Sequence, residues 1–84
     1  MKRTEAKELI SKLNSYKEFN YALVFHQDVF TKEIIPTYML SSDSFEIKRW
    51  LEQKISALSK HDVPYVAYTN GGFEDCNNKL SFEE

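Results

Sequence analysis

The stretch YALVFHQDVFTKEIIPTYML, residues 21–40, decides the fold of this chain. Both of its ends are rich in β-branched and aromatic residues, a composition typical of strands, and a polar connection, 31–33, lies between them. The pattern predicts a hairpin of two strands, 20–30 and 34–40, although its loop contains no glycine. Because Pro36 lacks the N–H that a ladder hydrogen bond requires, the second strand should be bent or lie at a sheet edge.

Amphipathic segments flank this hairpin on both sides. Upstream, Thr4 is a candidate N-cap for a helix at 5–17. Downstream, Asp43 with Glu46 three positions later resembles a capping box and predicts a second helix at 44–60. The apolar stripes are Ala6, Leu9, Ile10, Leu13 and Tyr16 in the first helix, and Ile47, Trp50, Leu51, Ile55 and Leu58 in the second.

The sequence after the second helix predicts a third, short strand at 64–69. Pro64 does not continue a helix comfortably, and the Asn-Gly-Gly run at 70–72 accepts the positive φ values of a turn. Residues 80–82 are a candidate for a short last strand. The order α-β-β-α-β indicates one α+β domain over 1–84. We expect both helices on one face of a small, largely antiparallel sheet, because their stripes need a common core.

The composition excludes a membrane protein and a disulfide-stabilised one. No apolar run approaches the roughly 20 residues that span a bilayer, and the charged start, 1–8, lacks the apolar region of a signal peptide. We therefore expect a cytoplasmic protein. Cys76 is the only cysteine, which leaves no disulfide framework and no cysteine-rich zinc site. No cofactor is predicted.

The charge is divided between the two ends of the chain. Residues 1–17 carry a net charge of +3, and residues 62–84 carry −4. The polar, acidic tail at 73–84 is either a solubilising end or a surface that docks on a basic partner. Its candidate partner-binding residues are Glu74, Asp75, Glu83 and Glu84.

Few residues are candidates for catalysis. His26 and Asp28 are two apart on a predicted strand and would share a face, where a carboxylate can orient an imidazole. A metal site needs three or four convergent ligands, and no third group accompanies this pair. His61 falls at the end of the second helix, where it meets the terminal carbonyls. Acidic neighbours disfavour a thiolate at Cys76. We expect no enzyme, with a small enzyme using His26 and Asp28 as the alternative.

Binding of single-stranded nucleic acid is the other alternative. Aromatic side chains on an open sheet can stack unpaired bases. The predicted strands carry Tyr21, Phe25, Tyr38, Tyr65 and Tyr68. However, only the first helix is basic, with Lys48 and Arg49 in the second, whereas nucleic-acid binders usually present a basic face. Nucleic acid is therefore not the expected partner.

With no catalytic constellation, the sequence favours a protein-binding module or inhibitor that occupies a partner protein's surface, such as an accessory protein of a phage or other mobile element. With a three-residue loop, Phe30 would pair with Ile34 and His26 with Tyr38, so these four side chains would share one face of the sheet. If both helices cover the other face, this face is left open. The predicted partner-binding residues on that face are His26, Asp28, Phe30, Ile34 and Tyr38. The same face is a candidate for homodimer formation, and a two-residue loop would exchange the faces.

Overall fold

A computed structural model describes residues 1–70 and Leu80. It contains two helices and three strands in the predicted order α-β-β-α-β, and the α+β class is confirmed. The elements are α1 (Arg3–Asn14), β1 (Asn20–Gln27), β2 (Ile34–Ser41), α2 (Ser44–Lys60) and β3 (Tyr65–Thr69). Neither of the helices in this part of the chain is long and apolar enough to cross a lipid bilayer.

β1 is the central strand of the sheet, which has the order β2-β1-β3. It runs antiparallel to both of its neighbours. All five residues in 21–25 are buried. Because successive side chains of a strand point to opposite faces, this unbroken burial requires cover on both faces of the sheet.

The two helices supply that cover from opposite sides, so the prediction that they share one face is wrong. Leu13 of α1 belongs to a cluster with Leu23 of β1, whereas Leu51 of α2 belongs to a cluster with Val24. The α1-side cluster contains buried Ala6, Leu13, Tyr21, Leu23, Phe25, Ile34 and Val66. The α2-side cluster contains buried Ala22, Val24, Ile47, Leu51, Tyr65 and Ala67. The physical reason is that β1 is apolar on both faces, and each face needs a helix of its own.

The register of the hairpin also differs from the predicted one. Tyr38 pairs with Leu23 rather than with His26, and His26 pairs with Ile35. The pairing is shifted by three residues relative to the prediction. Because side chains alternate between the two faces of a strand, a shift by an odd number exchanges the faces of β2 relative to β1. It arises because β1 ends at Gln27 and the loop spans 28–33. Pro36 lies on β2, which is an edge strand among the described residues, as predicted.

The helix ends follow local hydrogen bonding. α1 begins before Thr4, so that residue is not its N-cap, and the Glu5 side chain accepts a hydrogen bond from the Lys2 N–H at 3.3 Å. α2 has its predicted bounds, and Asp43 accepts from the Phe45 N–H at 2.9 Å. In place of a direct capping-box bond to Glu46, a serine links the two residues: the Asp43 N–H donates to Ser41 Oγ at 3.1 Å, and Ser41 Oγ donates to Glu46 Oε2 at 3.3 Å.

The chain beyond β3 begins with Asn70, which was predicted as a turn residue. Its side-chain oxygen accepts a hydrogen bond from the Tyr21 N–H at 2.6 Å and so caps the ladder between β1 and β3. Leu80 lies outside any strand and packs against the α1-side cluster. The other two residues of the predicted last strand, Ser81 and Phe82, lie outside the described residues.

Candidate interaction surfaces

The loop of the β1–β2 hairpin, residues 28–33, is closed by hydrogen bonds within its own backbone. The Asp28 N–H donates to the Glu33 carbonyl at 2.9 Å, and the Lys32 N–H donates to the Asp28 carbonyl at 2.9 Å. Lys32 adopts a left-handed φ of 66°, and Gln27 Nε2 donates to the Lys32 carbonyl at 3.1 Å. The loop is therefore held along a defined backbone path.

The side chain of Asp28 fixes the first half of this loop. Its Oδ1 atom accepts hydrogen bonds from the backbone N–H groups of Phe30, at 2.8 Å, and Thr31, at 2.9 Å. The N–H groups of Thr31 and Phe30 hold the pKa of the Asp28 carboxyl below its usual value, because they stabilise its charged form. Aspartate suits this position because its carboxylate accepts hydrogen bonds from backbone donors a few residues ahead.

Two apolar side chains, Val29 and Phe30, form what we name the hairpin tip. Val29 is 50% exposed and Phe30 is 89% exposed. Burying a side chain of this size contributes about 1.5–3 kcal/mol, which the fold forgoes at Phe30. An aromatic side chain presented on a fixed loop is the kind of group that protein interfaces bury at their centres. The hairpin tip is therefore the first candidate surface.

His26 lies on the α2 side of the sheet, paired with Ile35 and Tyr65 on the neighbouring strands. Its Nδ1 atom is buried and has no hydrogen-bond partner among the described residues. Burial lowers the pKa of the imidazole and the charge of Lys54 lowers it further, whereas Asp28 raises it. His26 and Asp28 thus interact electrostatically, but the Asp28 carboxylate is already engaged by the backbone of the loop.

The structure does not bring the predicted open-face residues onto one surface. Ile34 is only 8% exposed and belongs to the α1-side cluster. Tyr38 is half-exposed on the same side of the sheet, whereas His26 faces α2. Asp28 and Phe30 both lie in the loop, joined by a hydrogen bond. The premise of an open sheet face is wrong because each face carries a helix, and whether these residues bind a partner stays a prediction.

The predicted acidic-tail residues and Cys76 lie outside the described residues, so the docking of the tail on a basic partner stays a prediction. Its four residues are Glu74, Asp75, Glu83 and Glu84. Within residues 1–70 and 80, no group of three or more His, Cys, Asp or Glu side chains is placed to hold a metal ion.

A groove beside α2 is the second candidate surface, and it was not predicted from the sequence. Its volume is about 420 Å³. The α2 groove is lined by the apolar residues Met39, Phe45 and Trp50, with Asp43, Glu46, Arg49 and Gln53 around them. Phe45 is 67% exposed. The signal in the sequence was this phenylalanine, which falls off the apolar stripe of α2 and is therefore not needed by the core.

Comparison with known proteins does not assign this chain to a family. No protein-family model, curated protein or solved structure gives a significant match to the chain. The function is therefore inferred from the two surfaces, the hairpin tip and the α2 groove.

Proposed function

We propose that this chain is a small, non-catalytic protein-binding module that covers part of a partner protein's surface, as an inhibitor does. The observation that carries the proposal is the 89% exposure of Phe30 on a loop fixed by hydrogen bonds. Most other large apolar side chains of residues 1–70 lie within the two clusters, so an aromatic ring left in water at the hairpin tip calls for a partner with an apolar pocket.

The fixed loop supports this proposal energetically. Ordering a rotamer-rich side chain on binding costs about 0.5–1.5 kcal/mol, and ordering a loop costs more. Here the Asp28 carboxylate already holds the backbone N–H groups of Phe30 and Thr31 before any partner arrives. Preorganisation of this kind leaves more of the burial energy of Phe30 for affinity.

The two alternatives receive less support. Stacking of nucleic-acid bases needs several exposed aromatic rings, but three of the five predicted ones, Tyr21, Phe25 and Tyr65, are buried. Tyr38 is half-exposed. Tyr68 packs edge-on against Phe25, with 5.9 Å between ring centroids. An enzyme using His26 would need the Asp28 carboxylate as its hydrogen-bond partner, but His26 Nδ1 has no such partner among the described residues, and Asp28 lies in the loop beyond the end of β1.

Two further parts of the proposal concern setting and charge. We propose the cytoplasm as the place of action, because a single thiol, Cys76, suits a reducing compartment. We also propose that the acidic tail adds a second contact to a basic region of the same partner. Its residues are Glu74, Asp75, Glu83 and Glu84.

The test is affinity capture from extracts of the cells that make the protein, comparing the parent chain with Phe30→Ser. We expect the substitution to abolish capture of a partner while leaving the melting temperature unchanged, because Phe30 is almost fully exposed. Phe19→Ser is the matched control, since Phe19 is an exposed phenylalanine at the other end of β1. This control should retain the partner.

Substitutions at Asp28 test whether the fixed conformation of the loop, as well as the Phe30 side chain, is needed for binding. Asp28→Asn keeps a side-chain oxygen that accepts from the N–H groups of Phe30 and Thr31, and we expect it to retain the partner. Asp28→Ala removes that acceptor and should weaken capture, because the loop is no longer held. A folded Phe30→Ser chain that captures the same proteins as the parent would contradict the proposal.

A further inference from the structure

The polar residues of the α2 groove form one stripe along the helix. Glu46, Arg49 and Gln53 follow one another at intervals of three or four residues, which places them on the same side of α2. Asp43, the N-cap, stands at the start of this stripe. The stripe extends over about 15 Å at 1.5 Å per residue. It runs beside the apolar floor of the groove, so any molecule that covers the floor also meets the stripe.

The charges in this stripe are ordered along the helix. Asp43 and Glu46 make its N-terminal half acidic, and Arg49 makes the following turn basic. Glu46 and Arg49 are neighbours at i,i+3, yet no ion pair joins them, and no hydrogen bond or ion pair engages the Arg49 guanidinium within residues 1–70 and 80. The Arg49 guanidinium is therefore available to a carboxylate of another molecule.

We propose that a second copy of this chain occupies the α2 groove, through antiparallel pairing of the two α2 helices. A two-fold axis between Glu46 and Arg49 brings Glu46 of each copy opposite Arg49 of the other. A two-fold interface requires a surface that is complementary to itself, and an acidic turn followed by a basic turn meets this requirement. The charge order thus favours a second copy over a partner of a single charge sign.

The apolar floor supplies the attraction between the copies. Phe45 is 67% exposed, and Met39 and Trp50 are partly buried beside it. Pairing removes these side chains from water on both copies at once. An interface built on about three helical turns falls at the small end of stable interfaces, below about 1,200 Å² in total, so the dimer should form at high protein concentration and dissociate on dilution.

Sedimentation equilibrium on the full chain tests the pairing with charge-reversed variants. Glu46→Arg alone sets arginine against arginine across the axis, and Arg49→Glu alone sets glutamate against glutamate. We expect the parent to dimerise and each variant alone to stay monomeric. An equimolar mixture of the two variants restores both opposite-charge contacts, and it should form a one-to-one heterodimer.

The control is Glu8→Arg, the same charge change on exposed α1, which should dimerise like the parent. Phe45→Ser provides an independent variant that leaves the charges intact, and it should be monomeric. A parent chain that remains monomeric up to about 1 mM overturns the proposal, since that is the limit of weak specific association. A parent dimer that persists in both single reversals also overturns it.

Discussion

At the scale of single residues, Asp28 and His26 lie in different environments although they are only two positions apart. Asp28 is a loop residue whose carboxylate is satisfied by backbone N–H groups. His26 is a strand residue whose Nδ1 atom is buried without a hydrogen-bond partner among the described residues. The strand ends between them, at Gln27, so the sequence spacing that predicted a shared face does not apply.

The environment of His26 predicts a dependence of stability on pH. Burial first, and then Lys54, lower its pKa in the folded chain, so the unfolded chain takes up the proton at a higher pH than the folded chain does. The contribution of His26 is therefore fully present above the unfolded pKa of about 6.5 and is lost as the pH falls below that value. Stability should decrease from pH 7.5 to pH 5.5.

Urea unfolding at those two pH values measures this loss, with His26→Gln as the test variant. The substitution removes the titrating group, so it should reduce the difference in unfolding free energy between the two conditions. His61→Gln removes the exposed histidine at the end of α2 and serves as the control. Equal pH dependence in the parent and in His26→Gln would show that His26 contributes nothing to it.

At the scale of elements, periodicity identified both helices and all three described strands, because each carries a clear apolar pattern. α2 has its predicted bounds, since Asp43 gives a definite N-cap. α1 begins earlier than predicted, at Arg3, because Glu5 bonds to the Lys2 N–H in place of a cap from Thr4. The start of a helix was therefore predicted correctly where a single side chain, such as that of Asp43, caps it.

The arrangement of the layers was predicted wrongly, although the sequence carried a signal for it. An apolar run such as 21–25, without alternation, is typical of a strand buried on both faces. The register depended on the six-residue loop, which is set by hydrogen bonds to Asp28 and by the left-handed Lys32 rather than by a glycine. For the same reason the position of the hairpin tip was predicted wrongly: Phe30 was among the predicted partner-binding residues, but it and Val29 were assigned to the strand.

The two-sided core predicts that both helices are needed. Leu13 is buried in the α1-side cluster, and Leu51 is buried in the α2-side cluster. Leu13→Ala and Leu51→Ala should each destabilise the chain by about 2–5 kcal/mol, because each leaves a cavity in its own cluster. Chemical denaturation measures both values. A loss below about 1 kcal/mol at either leucine would contradict the packing of that helix on the sheet.

At the scale of the whole molecule, the two surfaces lie apart. The hairpin tip is at the end of the sheet where β1 passes into β2, whereas the α2 groove begins at the other end, after Ser41. Pairing through α2 would therefore leave Phe30 exposed on both copies. A dimer would present two hairpin tips, and a partner with two matching sites would gain in overall affinity without any new contact.

The central claim is that Phe30 enters a pocket on a partner protein, and the most direct measurement is crosslinking from that position. A benzophenone-bearing amino acid replaces Phe30, the cells that make the protein are irradiated, and adducts are identified by mass spectrometry. The same group in place of Ser11, which is exposed on α1, is the control. The proposal predicts one protein covalently joined at position 30 and absent at position 11. No adduct at position 30, or the same adducts at both positions, would contradict it.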